Sequence, residues 1–104
     1  MVKMVRLLKR PDTMTLDEMD QWWLGPHADV AKRLPGLRKY VVSLVVGSPD
    51  PGEPQYDGMA EMWFDSIEDA DKAQKSDVMK EAIKDSVGTN FTVVRLTTEE
   101  HFIV

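Results

Sequence analysis

Cysteine is absent from all 104 residues, so disulfide scaffolds, thiolate nucleophiles and cysteine-ligated metals are excluded together. Also missing are a long apolar run and a basic-then-apolar leader, which removes any sequence reason to expect a membrane span or a secretory signal. Charge of one sign is gathered nowhere. The 13 Lys and Arg are interleaved with 18 Asp and Glu for a net charge of −5, so no basic stripe exists to neutralise nucleic-acid phosphates or anionic lipid. Neither a glycine-rich phosphate cradle nor a serine elbow is present. His27 and His101 lack metal-ligand spacing and the carboxylates are not clustered, so no metal site is expected. These exclusions leave a cytoplasmic protein, one domain over residues 1–104, with room for one core and one site.

Seven methionines and three tryptophans provide adaptable apolar surface, used either as core filling or as the wall of a pocket for a flat hydrophobic ligand. Residues 2–9 (VKMVRLLK) read as a first strand, closed by Pro11-Asp12. Thr15 and Glu18 form a capping box that opens a helix ending near Leu34, before Pro35-Gly36. Residues 37–46 follow as a second strand, with Tyr40, Val42, Leu44 and Val46 on one face. A loop over residues 47–57 carries three prolines and two glycines; it is either a connector or a lid. Residues 58–64 form a third strand, with Met59, Glu61 and Trp63 on one side and Ala60, Met62 and Phe64 on the other. Ser66 and Asp69 cap a helix to about Lys75, and Ser76-Asp77 restarts it over residues 78–87 until Gly88. Residues 91–96 make a fourth strand, and the apolar ending Phe102-Ile103-Val104 reads as a segment docked on a partner surface.

Strand, helix, strand, strand, helix, strand is the split βαβ pattern, an α+β ferredoxin-like fold with a four-stranded antiparallel sheet and both helices on one face. The strands present apolar side chains in both directions. A second sheet must therefore cover the face away from the helices, giving a homodimer packed sheet to sheet as a dimeric α/β barrel.

Within the first helix, Leu16, Met19, Trp23, Val30 and Leu34 step by three or four, and His27 fills the vacant step between Trp23 and Val30. An imidazole stands where a core leucine is expected. Gly25-Pro26 interrupts the helix just before it, so His27 is expected in the first turn of the second half, where a helix N-terminus disfavours the cationic ring. His27 is then either a proton acceptor or a core histidine bonded to a carbonyl or carboxylate. Tyr40 either orients His27 and donates to a ligand carbonyl oxygen, or is a strand tyrosine with its hydroxyl at the edge. Glu61, in an apolar strand, either titrates high as an acid or base, or pairs with Arg6, Arg95 or a lysine. Trp22, Trp23 and Trp63 serve as core or as a ligand-stacking wall.

The ordered set LLKRPDTMTLDEM, His27 in a Trp-rich helix, LPGLRKY, YDGMAEMWFDS, SDVMK and TTEE resembles the EthD family of dimeric α/β-barrel proteins. Within that superfamily it is also similar to the small isomerases that rearrange methylmuconolactones. The resemblance covers nearly the whole chain and implies a ferredoxin-like subunit, a dimer through the sheets, a pocket between sheet and helices, and no metal or organic cofactor. It also implies that a first-helix histidine and a second-strand tyrosine, here His27 and Tyr40, line that pocket. Where those isomerases carry a cysteine before the Trp-Phe pair of the third strand, this chain has Met62. The function so implied is a cofactor-free acid–base enzyme of aromatic or lactone catabolism, isomerase- or cyclase-like. His27 and Tyr40 are its catalytic pair, and Trp23, Glu61 and Trp63 contact a small hydrophobic substrate. The alternatives are a non-catalytic ligand-binding or accessory protein of an EthD-type oxidative pathway, and a cofactorless monooxygenase.

Overall fold

The structure is a computed structural model that describes residues 1–88 and 90–104. β1 (Val2–Lys9) pairs antiparallel with both β3 (Gly58–Phe64) and β4 (Thr92–Glu99), and β2 (Lys39–Leu44) pairs with β3, so the sheet order is β2-β3-β1-β4. Met4, Leu8, Ala60, Met62 and Phe64 all leave the sheet on one face and are buried there under the helices. This is the split βαβ topology expected from the element order, with one helical layer on one face of the sheet.

α1 (Leu16–Trp22) begins with the expected capping box: Glu18 N–H donates to Thr15 Oγ1 at 3.2 Å and Thr15 N–H donates to Glu18 Oε1 at 3.0 Å. The Gly25-Pro26 interruption takes a form different from the expected break. Trp23–His27 winds as a single π-helical turn, Ala28 N–H reaches back to the carbonyl of Trp23, and α2 (Ala28–Ala31) continues without a new cap. Pro26 has no N–H to give the preceding turn; widening that turn by one residue absorbs the loss without ending the helix. The widened turn also resets the phase. Ala31 and Leu34 are buried after it, whereas Val30 is only half-buried and Leu16, at the other end of the stripe, lies exposed.

Gly36 turns the chain at a φ of 75° after Pro35, a backbone state that glycine adopts without a Cβ penalty. β2 is shorter than expected, since Val46 projects wholly into solvent. α3 (Ile67–Gln74) starts where Ser66 Oγ accepts from Asp69 N–H, and α4 (Asp77–Gly88) where Ser76 Oγ accepts from Met79 N–H, so both caps fall as read. β4 runs three residues beyond the expected Leu96 because its register with β1 continues to Glu99 opposite Val2. The far face of the sheet carries Val5, Leu7, Val41, Met59, Val94 and Leu96, as strand alternation and register require. None of the helices among the described residues is long and apolar enough to cross a membrane.

Candidate active site

Between the sheet and the helices lies a small cavity, open to solvent on one side. Its sheet side is made by Arg6 and Leu8 of β1, Tyr40 of β2, Ala60 and Met62 of β3, and Val93 and Arg95 of β4. Trp23 and His27 of the π-helical turn close it from the first helical segment, and Met79, Ala82 and Ile83 close it from α4. Most of these groups are apolar. The polar ones converge on a small volume, the usual composition of a small-molecule site.

His27 is buried, with 9% of its surface exposed. Its Nδ1 lies 2.7 Å from Asp85 Oδ2 of α4, and its ring stacks on Trp22 with centroids 4.3 Å apart. The same carboxylate oxygen accepts from Trp22 Nε1 at 3.0 Å, and Trp22 stacks in turn on Phe91 at 4.5 Å. A carboxylate facing Nδ1 orients the ring: Nδ1–H donates to Asp85, and in the neutral ring Nε2 is then the nitrogen that can accept a proton. The expectation that a helix N-terminus keeps this ring neutral is therefore corrected. The helical path runs unbroken through His27, so there is no free N-terminus there, and orientation comes from Asp85.

Tyr40 is half-buried, and loss of hydration raises its phenol from 10.0 to about 12, opposed in part by the indole N–H of Trp23, which donates to the hydroxyl. At any working pH the phenol keeps its proton. The protonated O–H can donate, the behaviour of a group that steadies a carbonyl oxygen.

Trp23, His27 and Tyr40 are thus brought together, and Glu61 and Trp63 are not. The period of two along β3 sends those two residues to the opposite face of the sheet from Ala60 and Met62, away from the cavity. Of the pairings expected for Glu61, the structure has the lysine and neither arginine: Lys3 Nζ lies 2.5 Å from Glu61 Oε2, and the ammonium is raised above its ordinary value chiefly by that bond. Trp63 donates from Nε1 to Glu100 Oε1 at 2.6 Å, with the ammonium groups of Lys3 and Lys39 5.2 and 4.7 Å from its ring centre. Loop 47–57 contributes no lining residue. Its end is instead tied to the sheet by Asp57, which accepts from Arg10 N–H at 2.8 Å and from Arg10 Nη1 at 2.6 Å.

Sequence reasoning passed over Asp85, Trp22 as the stacking partner of His27, and Arg6 and Arg95 as cavity residues. For the arginines the signal was present, because alternation in VKMVRLLK puts Arg6 on the face of Met4 and Leu8. For Asp85 there was only its position three residues after Ala82 on the inner stripe of α4; its contact with a residue 58 positions earlier depends on helix packing. Among the described residues no group of three or more His, Asp or Glu side chains is gathered that would hold a metal ion.

An antiparallel βαββαβ sheet with one helical layer, and a cavity between the two lined by a histidine that a carboxylate orients, defines a ferredoxin-like α+β domain. The chain belongs to the EthD family, whose model matches residues 11–93. It is similar to the 4-carboxymethyl-4-methylbutenolide mutase of Pseudomonas reinekei, 30% identical over 86 residues, 77% of this chain and 79% of that one. The solved structure of an EthD family protein from Bacillus halodurans matches with a TM-score of 0.83 and 31% identity, covering 97% of this chain and 99% of that chain. A dimeric ferredoxin-like protein of unknown function from Thermobifida fusca shares the fold at 17% identity and a TM-score of 0.68, covering 93% and 90% of the two chains.

Proposed function

We propose that the chain is a cofactor-free acid–base catalyst of small-molecule catabolism, acting on a lactone or related carbonyl compound and rearranging it without net oxidation. The observation that carries this reading is the Asp85–His27 pair on the wall of a cavity that Tyr40 also lines. In the reaction, His27 Nε2 takes a proton from, or relays one to, a carbon activated by the substrate carbonyl. The electron pair moves onto the carbonyl oxygen, which accepts a hydrogen bond from Tyr40 O–H. On a butenolide with a side-chain carboxyl, the carboxylate oxygen adds to the β carbon of the ring while His27 hands a proton to the α carbon. Elimination then breaks the original ring C–O bond as His27 takes a proton from the carbon beside the second carbonyl, so one C–O and one C–H bond form, one of each breaks, and no atom is gained or lost. Asp85 holds the ring in its working tautomer and offsets the charge that develops on it. Trp23 positions Tyr40.

Membership of the EthD family and the likeness to a butenolide mutase support this reading. Met62 lines the cavity, so where the related isomerases present a thiol this chain presents a thioether that cannot transfer a proton; His27 is left as the proton-transfer group. The test is turnover of 4-carboxymethyl-4-methylbutenolide. His27→Ala is expected to lower kcat by roughly 10²–10⁴ while the thermal midpoint stays close to that of the wild type. Unchanged turnover in that variant sinks the proposal.

The functional unit is a homodimer joined through the far face of the sheet. Leu7, Val41, Met59, Val94 and Leu96 form an apolar surface there that one chain covers only in part, and a dimeric protein of the same fold supports the arrangement.

A further inference from the structure

We infer that Arg6 and Arg95 form a carboxylate-binding subsite on the sheet side of the cavity, so that the molecule held beside His27 is an organic acid. The inference rests on the small-molecule reading above and specifies the charge its ligand carries. Arg6 and Arg95 are directly opposed partners across β1 and β4, so both side chains leave the sheet on the same face, with Cβ atoms about 5 Å apart. Both line the cavity. Like charges opposed in this way weaken a ladder, and Arg6 is also 91% withdrawn from water, being only 9% exposed.

A guanidinium so placed ordinarily takes a carboxylate. Among the described residues neither arginine has one. Arg6 Nη2 donates to the neutral amide Oε1 of Gln74 at 2.6 Å and touches Met4 Sδ at 3.5 Å, and Nη1 lies 3.1 Å from the Val5 carbonyl. The other arginines are all matched: Arg10 with Asp57 at 2.6 Å, Arg33 with Glu81 at 3.1 Å, Arg38 with Asp65 at 2.7 Å. With 18 acidic residues in the chain, scarcity does not explain the difference. Burial first and Arg95 second lower the Arg6 guanidinium to about 10, which leaves it charged at neutral pH. Buried Arg6 and the more exposed Arg95 therefore line one small space with no carboxylate of the described residues between them, and the negative partner is supplied from outside the chain. The walls around them, Leu8, Trp23, Met62 and Val93, suit the carbon skeleton of an organic acid and not a fully hydrated inorganic anion.

The experiment is a titration followed by tryptophan fluorescence, with Trp23 in the cavity wall as reporter. The probes are 4-carboxymethylbutenolide and its methyl ester. Charge-assisted bonds to a fork of guanidinium donors make the acid bind the wild type at least about tenfold more tightly than the ester. Arg6→Gln and Arg95→Gln each bring the dissociation constant of the acid up to that of the ester while leaving the ester unchanged. Arg95 is exposed on an edge strand, so its variant retains the fold even if the buried Arg6→Gln does not, and a thermal melt of each checks this. Equal binding of acid and ester by the wild type, an acid preference that survives Arg95→Gln in folded protein, or no binding of the acid at all overturns the subsite. His27→Ala keeps the acid preference, so loss of the preference and loss of His27-dependent turnover are separate results that fail separate claims.

Discussion

The chemistry of the site is set by what each polar side chain is permitted to do. Asp85 accepts from Nδ1 of His27 and burial keeps the proton on Tyr40, so the neutral imidazole has its other nitrogen to accept a proton while the phenol offers a hydrogen bond. Tyr40 offers a check of this arrangement that needs no substrate. Its phenol is raised from 10.0 to about 12, so the folded chain holds that proton more tightly than the unfolded chain does. The sign follows: the contribution of Tyr40 to stability is complete below pH 10.0 and is lost as pH climbs from there to about 12. The expected result is a phenolate absorbance step near the upper value that Tyr40→Phe removes; a wild-type chain whose tyrosines have all ionised well below it contradicts the buried, indole-bonded phenol. His27 and Tyr40 were legible at this scale, one as a polar interruption of an apolar stripe and the other by its strand face. Asp85 was not, since a surface carboxylate of an amphipathic helix carries no local mark of the residue it meets across the fold.

At the scale of elements, the site depends on a wide turn and a missing side chain. The π-helical turn at Trp23–His27 keeps the first helix continuous through Pro26 and points both an indole and an imidazole at the sheet. Gly58, at the start of β3, makes room for that indole. A Cβ at this position would meet Trp23 Cη2 at 2.9 Å and the Ser43 carbonyl oxygen at 2.8 Å, closer than side-chain carbons approach. Gly58→Ala is accordingly expected to destabilise the fold by about 1–3 kcal/mol through overpacking, because Trp23 must shift. Chemical denaturation measures the effect, and a variant as stable as the wild type would show that the indole is not held against the backbone. The Gly25-Pro26 pair announced an irregularity in the sequence. Its form was not legible, because break, kink and π turn differ in which carbonyl the next free N–H reaches, and that is decided by the packing of the helix on the sheet.

For the whole molecule, alternation in four strands predicted the topology and the apolar character of both sheet faces, and the observed order β2-β3-β1-β4 agrees with it. The same alternation, applied strictly, separates Glu61 and Trp63 from Tyr40, Ala60 and Met62; grouping them in one site followed residue chemistry instead of strand face. The far face yields its own prediction. Leu96 is 47% exposed there, and Leu96→Asp puts a charge into the proposed dimer contact while leaving the cavity on the other side untouched. Sedimentation should show a wild-type dimer and a monomeric or strongly weakened variant; a monomeric wild type rejects the dimer outright.

Everything proposed for the reaction comes down to whether His27 moves a proton at a carbon next to a carbonyl. The direct measurement is the uptake of solvent deuterium into the ring carbon beside the lactone carbonyl of 4-carboxymethyl-4-methylbutenolide, since label enters there only if a proton is delivered and removed. Label is predicted to accumulate with the wild type and with Glu61→Gln, whose carboxylate lies on the far face, and to fall to the uncatalysed rate with His27→Ala. Exchange that proceeds equally with and without the imidazole would contradict the account.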